Sequence, residues 1–168
     1  MKTKAPLSYF GSDSQYASQL GSLLDNCKHV TIPFCGGLSI LPFIKASHIV
    51  ANDANNLVIN FYRVLAGTLG MEAQLKLIAR CSNTLSHPEE MATAEQCLEM
   101  NLSTKGSVLI DDCLDAAWGY WAMCWIGRKG KGGTKQIGGM PSLRRTANGG
   151  GNASRLCAAA ADLEGWAK

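Results

Sequence analysis

The residues Pro33-Phe34-Cys35-Gly36-Gly37-Leu38-Ser39, followed by Asp53 at the end of a second apolar run, are the first constellation in this chain that could do chemistry. Glycines directly after a buried strand let a ligand lie against the backbone, because no Cβ holds it away. A carboxylate at the tip of the next strand can accept hydrogen bonds from both hydroxyls of a ribose. Together these residues describe a site for an adenosine-containing ligand. Two plainer readings stand beside it: Gly36-Gly37 as a turn, and Asp53 or Asn55 as the cap of the helix that follows.

A second constellation is electrostatic. Between Trp118 and Arg155 lie Arg128, Lys129, Lys131, Lys135, Arg144, Arg145 and Arg155, with no acidic residue among them. The rest of the chain holds nine basic and 13 acidic residues, so the overall charge of +3 hides a basic segment on a mildly acidic body. A local cluster of cations is what a polyanion rewards, through release of its counterions. A solvated basic loop is the alternative.

Other chemistry is excluded by spacing. The seven cysteines are odd in number and scattered, with no C-x-x-C pair, which argues against a disulfide framework and a zinc site and for free thiols in a reducing, cytoplasmic setting. His29, His48 and His87 are isolated and are given no role. No apolar run approaches the roughly 20 residues of a membrane helix, and the N-terminus has no apolar stretch that would make it a secretory signal.

The elements that must position these residues follow from hydrophobic period. Residues 12–24 carry Tyr16, Leu20, Leu23 and Leu24 at helical spacing, with Ser12 as N-cap. His29 to Phe34 reads as a strand, residues 38–46 as a helix shortened by Pro42, and His48 to Asp53 as a second strand. Residues 56–69 read as a helix with Leu57, Phe61, Val64 and Leu65 facing inward. This opens a parallel α/β sheet. The alternation then stops, with helices expected over 72–81, 89–100 and 107–126. In the last of these Leu114, Trp118, Trp121 and Trp125 share one face, which reads as core. Glycine-rich, basic sequence follows, and a helix is expected over 152–168.

In this order the motifs resemble the Dam-type DNA adenine methyltransferases. The family's amino-terminal pattern, an aromatic and then glycine, is similar to Tyr9-Phe10-Gly11-Ser12, and its cofactor loop is similar to Pro33-Phe34-Cys35-Gly36-Gly37. Its second-strand signature, with an aromatic-Tyr pair in the next helix, is similar to Asn52-Asp53-Ala54-Asn55 with Phe61-Tyr62. A glycine- and arginine-bearing loop of the family is similar to Gly127-Arg128-Lys129-Gly130-Lys131-Gly132. Ser12-Asp13-Ser14 stands where the family carries a lysine, and Ile32 where it carries an acid before the proline.

The resemblance implies S-adenosylmethionine as cofactor, DNA as partner, and methyl transfer to the exocyclic amino group of adenine. It implies cofactor contacts from Tyr9, Phe10, Gly11, Pro33, Phe34, Cys35, Gly36, Gly37, Ser39, Asp53 and Ala54. DNA contacts are expected from Arg128, Lys129, Lys131, Lys135, Arg144 and Arg145. The fold implied is an α/β, partial Rossmann-like methyltransferase with an inserted helical target-recognition region. Residues 1–69 begin the methyltransferase domain, 70–151 are the insertion and basic loop, and 152–168 return to it. The family's Asp-Pro-Pro-Tyr-like motif, which orients the flipped adenine, is absent, because the five prolines include no adjacent pair. A truncated or split reading frame is therefore expected, inactive alone and completed by a C-terminal polypeptide. A noncatalytic nucleic-acid-binding module is the second reading; a nicotinamide oxidoreductase is disfavoured by the lack of G-x-G-x-x-G.

Overall fold

Among the described residues a short helix precedes two side-by-side strands, and longer helices follow them. A computed structural model describes residues 5–9, 13–85, 87–102, 113–126, 159–163 and 165–166. In chain order the α-helices and strands are α1 (Ala17–Leu23), β1 (His29–Ile32), β2 (His48–Ala51), α2 (Asn56–Leu65), α3 (Met71–Asn83), α4 (Pro88–Leu102) and α5 (Cys113–Ile126). Short 3₁₀ turns occupy Asp13–Gln15 and Leu41–Phe43. The architecture mixes helix and strand, with β1 and β2 parallel and in register from His29 opposite His48 to Ile32 opposite Ala51.

The connection between the strands differs from expectation. The helix read over residues 38–46 does not form; only the 3₁₀ turn Leu41–Phe43 does. Pro42 at the centre of an α-helix would leave the Leu38 carbonyl without its donor and would push its ring against that carbonyl. Leu38 itself sits at φ 54, outside the right-handed helical region. The bonds Leu41 N to Leu38 O and Phe43 N to Ile40 O close the tighter turns instead.

Helix α1 is shorter than the expected 12–24, and it packs through a different face. Tyr16 and Leu23 are exposed while Ala17 and Gly21 are buried. A Cβ on Gly21 would lie 2.4 Å from the Phe43 Cβ and 2.6 Å from its carbonyl oxygen, so small residues set α1 against the Leu41–Phe43 turn. The expected N-cap, Ser12, lies outside the described residues.

Helix α2 ends at Leu65, short of the expected 69, and residues 66–69 make a turn through Gly67 at φ 70. Its expected inward face, Leu57, Phe61, Val64 and Leu65, is buried. Helices α3 and α4 cover the spans expected for them with a residue or two added at each end. In α5 Trp118 and Trp121 are buried as core, with Leu114 and Trp125 half-buried, but burial is not confined to that stripe. Ala116, Ala117, Tyr120, Ala122 and Met123 are buried too. A helix apolar on every side belongs inside a layer of others, and α5 packs against α2, α3 and α4. Gly119 makes the closest approach possible, since a Cβ there would meet the Ala94 carbonyl oxygen at 2.9 Å.

Of the C-terminal helix expected over 152–168, residues 159–163 and 165–166 are described and helical. Their Ala159, Ala160 and Leu163 join one core cluster with Leu7, Leu38, Phe61, Leu77, Leu98 and Trp121. The chain thus ties its N-terminal arm, its glycine loop and helices α2 to α5 to a single apolar interior.

Candidate functional site

The loop after β1 turns back on itself at its glycines. Pro33 ends the strand, having no N–H to continue the ladder, and Leu38 N closes a tight turn onto Cys35 O at 2.7 Å. Gly36 occupies φ 44, a left-handed conformation that costs a residue with a Cβ about 1–2 kcal/mol. Cys35, Gly36, Gly37 and Leu38 are buried, while Pro33 and Phe34 are exposed, Phe34 at 80%.

The turn reading and the ligand-site reading of this loop are not exclusive, because the turn delivers the Gly36 N–H to Asp53. Asp53 Oδ2 accepts from Gly36 N at 2.9 Å, and Oδ1 accepts from Asn55 N at 2.9 Å. The cap of α2 is Asn55, whose Oδ1 accepts from Leu57 N at 3.0 Å. Asp53 is thereby released from capping and joined to the glycine loop. An ionised carboxylate has about four lone-pair sites. Two are spent on peptide groups, and the half-buried side chain keeps about two for hydroxyl donors.

The N-terminal arm covers the glycines. A Cβ on Gly36 would come within 3.0 Å of the Tyr9 ring, and one on Gly37 within 3.0 Å of the Leu7 carbonyl oxygen. The arm is anchored by buried Pro6 and Leu7 and by Trp125, whose Nε1 donates to Pro6 O at 2.9 Å. Two further tyrosines close the site. Tyr62 of α2 donates its hydroxyl to Gly36 O at 3.0 Å, and Tyr120 of α5 accepts from Asn55 Nδ2 at 3.2 Å.

Burial raises each of these weak acids, and the charge of Asp53 adds to the rise at all but Cys124. Burial first, and then the negative charge of Asp53, pushes the Cys35 thiol up to about 11. Burial pushes Cys124 up to about 12, against the pull of its hydrogen bond from Tyr120. Burial also raises the Tyr9, Tyr62 and Tyr120 hydroxyls, so all three are neutral donors or acceptors at neutral pH.

Of the residues expected at a cofactor, the structure gathers Tyr9, Cys35, Gly36, Gly37 and Asp53 into direct or bridged contact. Pro33, Phe34, Ser39 and Ala54 flank them in the same two loops, with Ala54 exposed and Ser39 half-buried. Phe10 and Gly11 lie outside the described residues, as do Arg128, Lys129, Lys131, Lys135, Arg144 and Arg145. Tyr120 and Cys124 fall outside the sequence-based expectation, because the tryptophans of α5 mark one face and these two residues lie between them.

Elsewhere, Cys27, Cys35, Cys81, Cys97 and Cys124 form no disulfide with one another. His29 and His48 stack at a centroid distance of 4.8 Å across the strand pair. No helix among the described residues is long and apolar enough to cross a membrane.

The glycine turn and the strand-tip acid are thus joined through the Gly36 N–H. The family profile of the D12 class N6 adenine-specific DNA methyltransferases matches residues 9–126, from the arm tyrosine to the end of α5, and the chain belongs to that family. Comparison with curated proteins and with solved structures returned no match. The family methylates adenine in DNA, so by family the chain is a DNA-modifying transferase whose substrate is DNA.

Proposed function

We propose that this chain binds S-adenosylmethionine at the Gly36-Gly37 loop and Asp53, and that it serves methyl transfer from that cofactor to the amino group of adenine in DNA. The observation that carries the reading is the Asp53 carboxylate, aimed by two peptide N–H groups with lone pairs to spare for a ribose diol. The donor set fits the group. Asp53 holds the ribose, Ala54 and the exposed Phe34 border the adenine side, and the loop of Gly36, Gly37 and Ser39 meets the methionine side, with Tyr9 packed on its glycines. The cofactor supplies an electrophilic methyl group on a sulfonium. The chain's own work is to bind, orient and shield. In this reading β1, β2 and α2 open a Rossmann-like methyltransferase sheet, residues 70–151 face DNA, and Arg128, Lys129, Lys131, Lys135, Arg144 and Arg145 meet its phosphates.

The 168 residues contain no Asp-Pro-Pro-aromatic sequence. An exocyclic amine is a poor nucleophile until it is oriented and polarised toward the methyl group. Transfer by these residues therefore requires a polypeptide segment bearing such a motif, in cis or in trans.

Calorimetric titration with S-adenosylmethionine tests the site. Asp53→Ala removes two charge-assisted hydrogen bonds to the ligand, about 1.5–3 kcal/mol each, and should abolish measurable binding. It also frees Gly36 N and Asn55 N, so a melting curve accompanies the titration. Binding that survives the substitution would remove Asp53 from the site. Transfer of labelled methyl groups to duplex DNA, with and without a polypeptide bearing the motif, tests the second half. Robust incorporation by the 168 residues alone would show that the transferring residues lie elsewhere.

A further inference from the structure

Each oxygen of Asp53 is held by a single peptide group, and a carboxylate aimed in this way is only as well oriented as the two residues that aim it. Gly36 is steadied by the Tyr62 hydroxyl on its carbonyl oxygen at 3.0 Å. Asn55 is steadied through its side chain, which is engaged at both ends. Its Oδ1 accepts from Leu57 N at 3.0 Å, and its Nδ2 donates to the Tyr120 oxygen at 3.2 Å. The residue cannot turn without breaking one of these bonds.

We propose that Tyr120 is a positioning residue for Asp53: from helix α5 it fixes, through Asn55, the orientation in which the carboxylate meets a ribose. The inference rests on reading Asp53 as the ribose ligand of a nucleoside cofactor, and it adds to that reading a residue from the helical layer.

Tyr120 has the properties of an anchor. It is 9% exposed and lies 65 residues along the chain from Asn55. The helix that carries it is packed by α2, α3 and α4, so its position is set by the core and not by a surface loop. Its hydroxyl oxygen receives the Asn55 amide at 3.2 Å. Sites hold their geometry when supporting residues of this kind sit on rigid elements. On this arrangement the aim of the strand-tip carboxylate is inherited from the helices.

The test uses the full chain and two probes, S-adenosylhomocysteine and its 2′,3′-dideoxyribose analogue. Wild-type protein should prefer the ribose compound. Tyr120→Phe should weaken binding of the ribose compound by up to about tenfold, the worth of one hydrogen bond, and leave the dideoxy compound nearly unchanged, so the preference falls. A merely structural role would weaken both alike. Asn55→Ser severs the bond to Tyr120 while keeping an N-cap for α2, and should reproduce the loss of preference should Tyr120→Phe fold poorly. An unchanged ratio in Tyr120→Phe or Asn55→Ser, with Asp53→Ala still destroying binding, would overturn the role of Tyr120 and leave the cofactor site standing. Wild-type protein that binds neither probe would overturn the site, and the inference with it.

Discussion

Trp118 donates its indole N–H to the Thr84 hydroxyl oxygen at 2.8 Å, deep between α3 and α5, while the Arg80 guanidinium lies 3.8 Å from the centroid of the same indole. Thr84 in turn donates to the Arg80 carbonyl oxygen at 2.7 Å, and Arg80 pairs with Asp115. The largest side chain of the core is thus tied to α3 at its polar edge as well as by packing. Thr84→Val keeps the volume but leaves the indole N–H buried without an acceptor, which should cost about 1–3 kcal/mol. Thr84→Ser should retain most of that stability. The midpoint of urea denaturation distinguishes the two.

Gly36→Ala should separate backbone strain from displacement of the arm. At φ 44 the new Cβ carries a left-handed penalty, and it also meets the Tyr9 ring at 3.0 Å. Gly67→Ala is the control, since φ is 70 there but the nearest atoms, in the flexible Gln74 side chain, are 3.6 Å away. Both variants should lose about 1–2 kcal/mol of stability to the left-handed backbone, and only Gly36→Ala should also lose cofactor affinity. Equal cofactor binding by the two would mean that Tyr9 has no part in the site.

Stability should fall on the alkaline side. The Cys35 and Cys124 thiols are pushed up from 9.0 to about 11 and about 12, so above the unfolded value the folded state holds more protons than the unfolded one. The sign of the linkage is then negative. Stability present below the unfolded value is lost as pH rises from about 9 toward those two folded values. Denaturation measured between about pH 7.5 and 11 should show this decline, and Cys35→Ala combined with Cys124→Ala should make it shallower, the remainder coming from Cys81 and Cys97, whose thiols burial also raises.

If the basic residues meet phosphates, DNA binding should depend steeply on salt. Replacing Arg128, Lys129, Lys131, Arg144 and Arg145 with neutral residues should shallow the slope of log affinity against log salt by about one for each phosphate no longer neutralised. A slope unaltered after all five replacements would reduce the segment to solvated surface.

The pieces of the site that come from local chemistry are legible in the sequence. A β-branched run ending in Pro33, a glycine pair, a second run and an acid at its tip specify a strand, a turn, a strand and a carboxylate, and the structure joins Gly36 to Asp53 as that pattern suggests. What cannot be read is set by contacts between distant residues. Nothing near Tyr120 points to Asn55, and the burial of α5 on every side depends on α2, α3 and α4 arriving around it. The face of α1 is hidden for a related reason. Leu23 is more hydrophobic than Gly21, yet only the glycine lets the helix reach Phe43. At residues 38–46 Pro42 does more than shorten a helix, since it leaves only one 3₁₀ turn in its place.

All four tryptophans of the chain stand at position 118 or beyond, three of them in α5, and Trp118 and Trp121 are shielded from water. Ultraviolet emission from this protein is consequently a signal from the helical layer and from the arm that Trp125 holds at Pro6: blue while α5 is enclosed, red when it is wetted. The strands that carry the glycine loop and Asp53 contain no indole and are optically dark. Fluorescence melting would report an intact molecule even after β1 and β2 had parted, and it would assign to the protein the cooperativity of its bundle. Amide exchange at Asn52 and Cys35, whose N–H groups bridge the two strand ends, reads the half that light does not see.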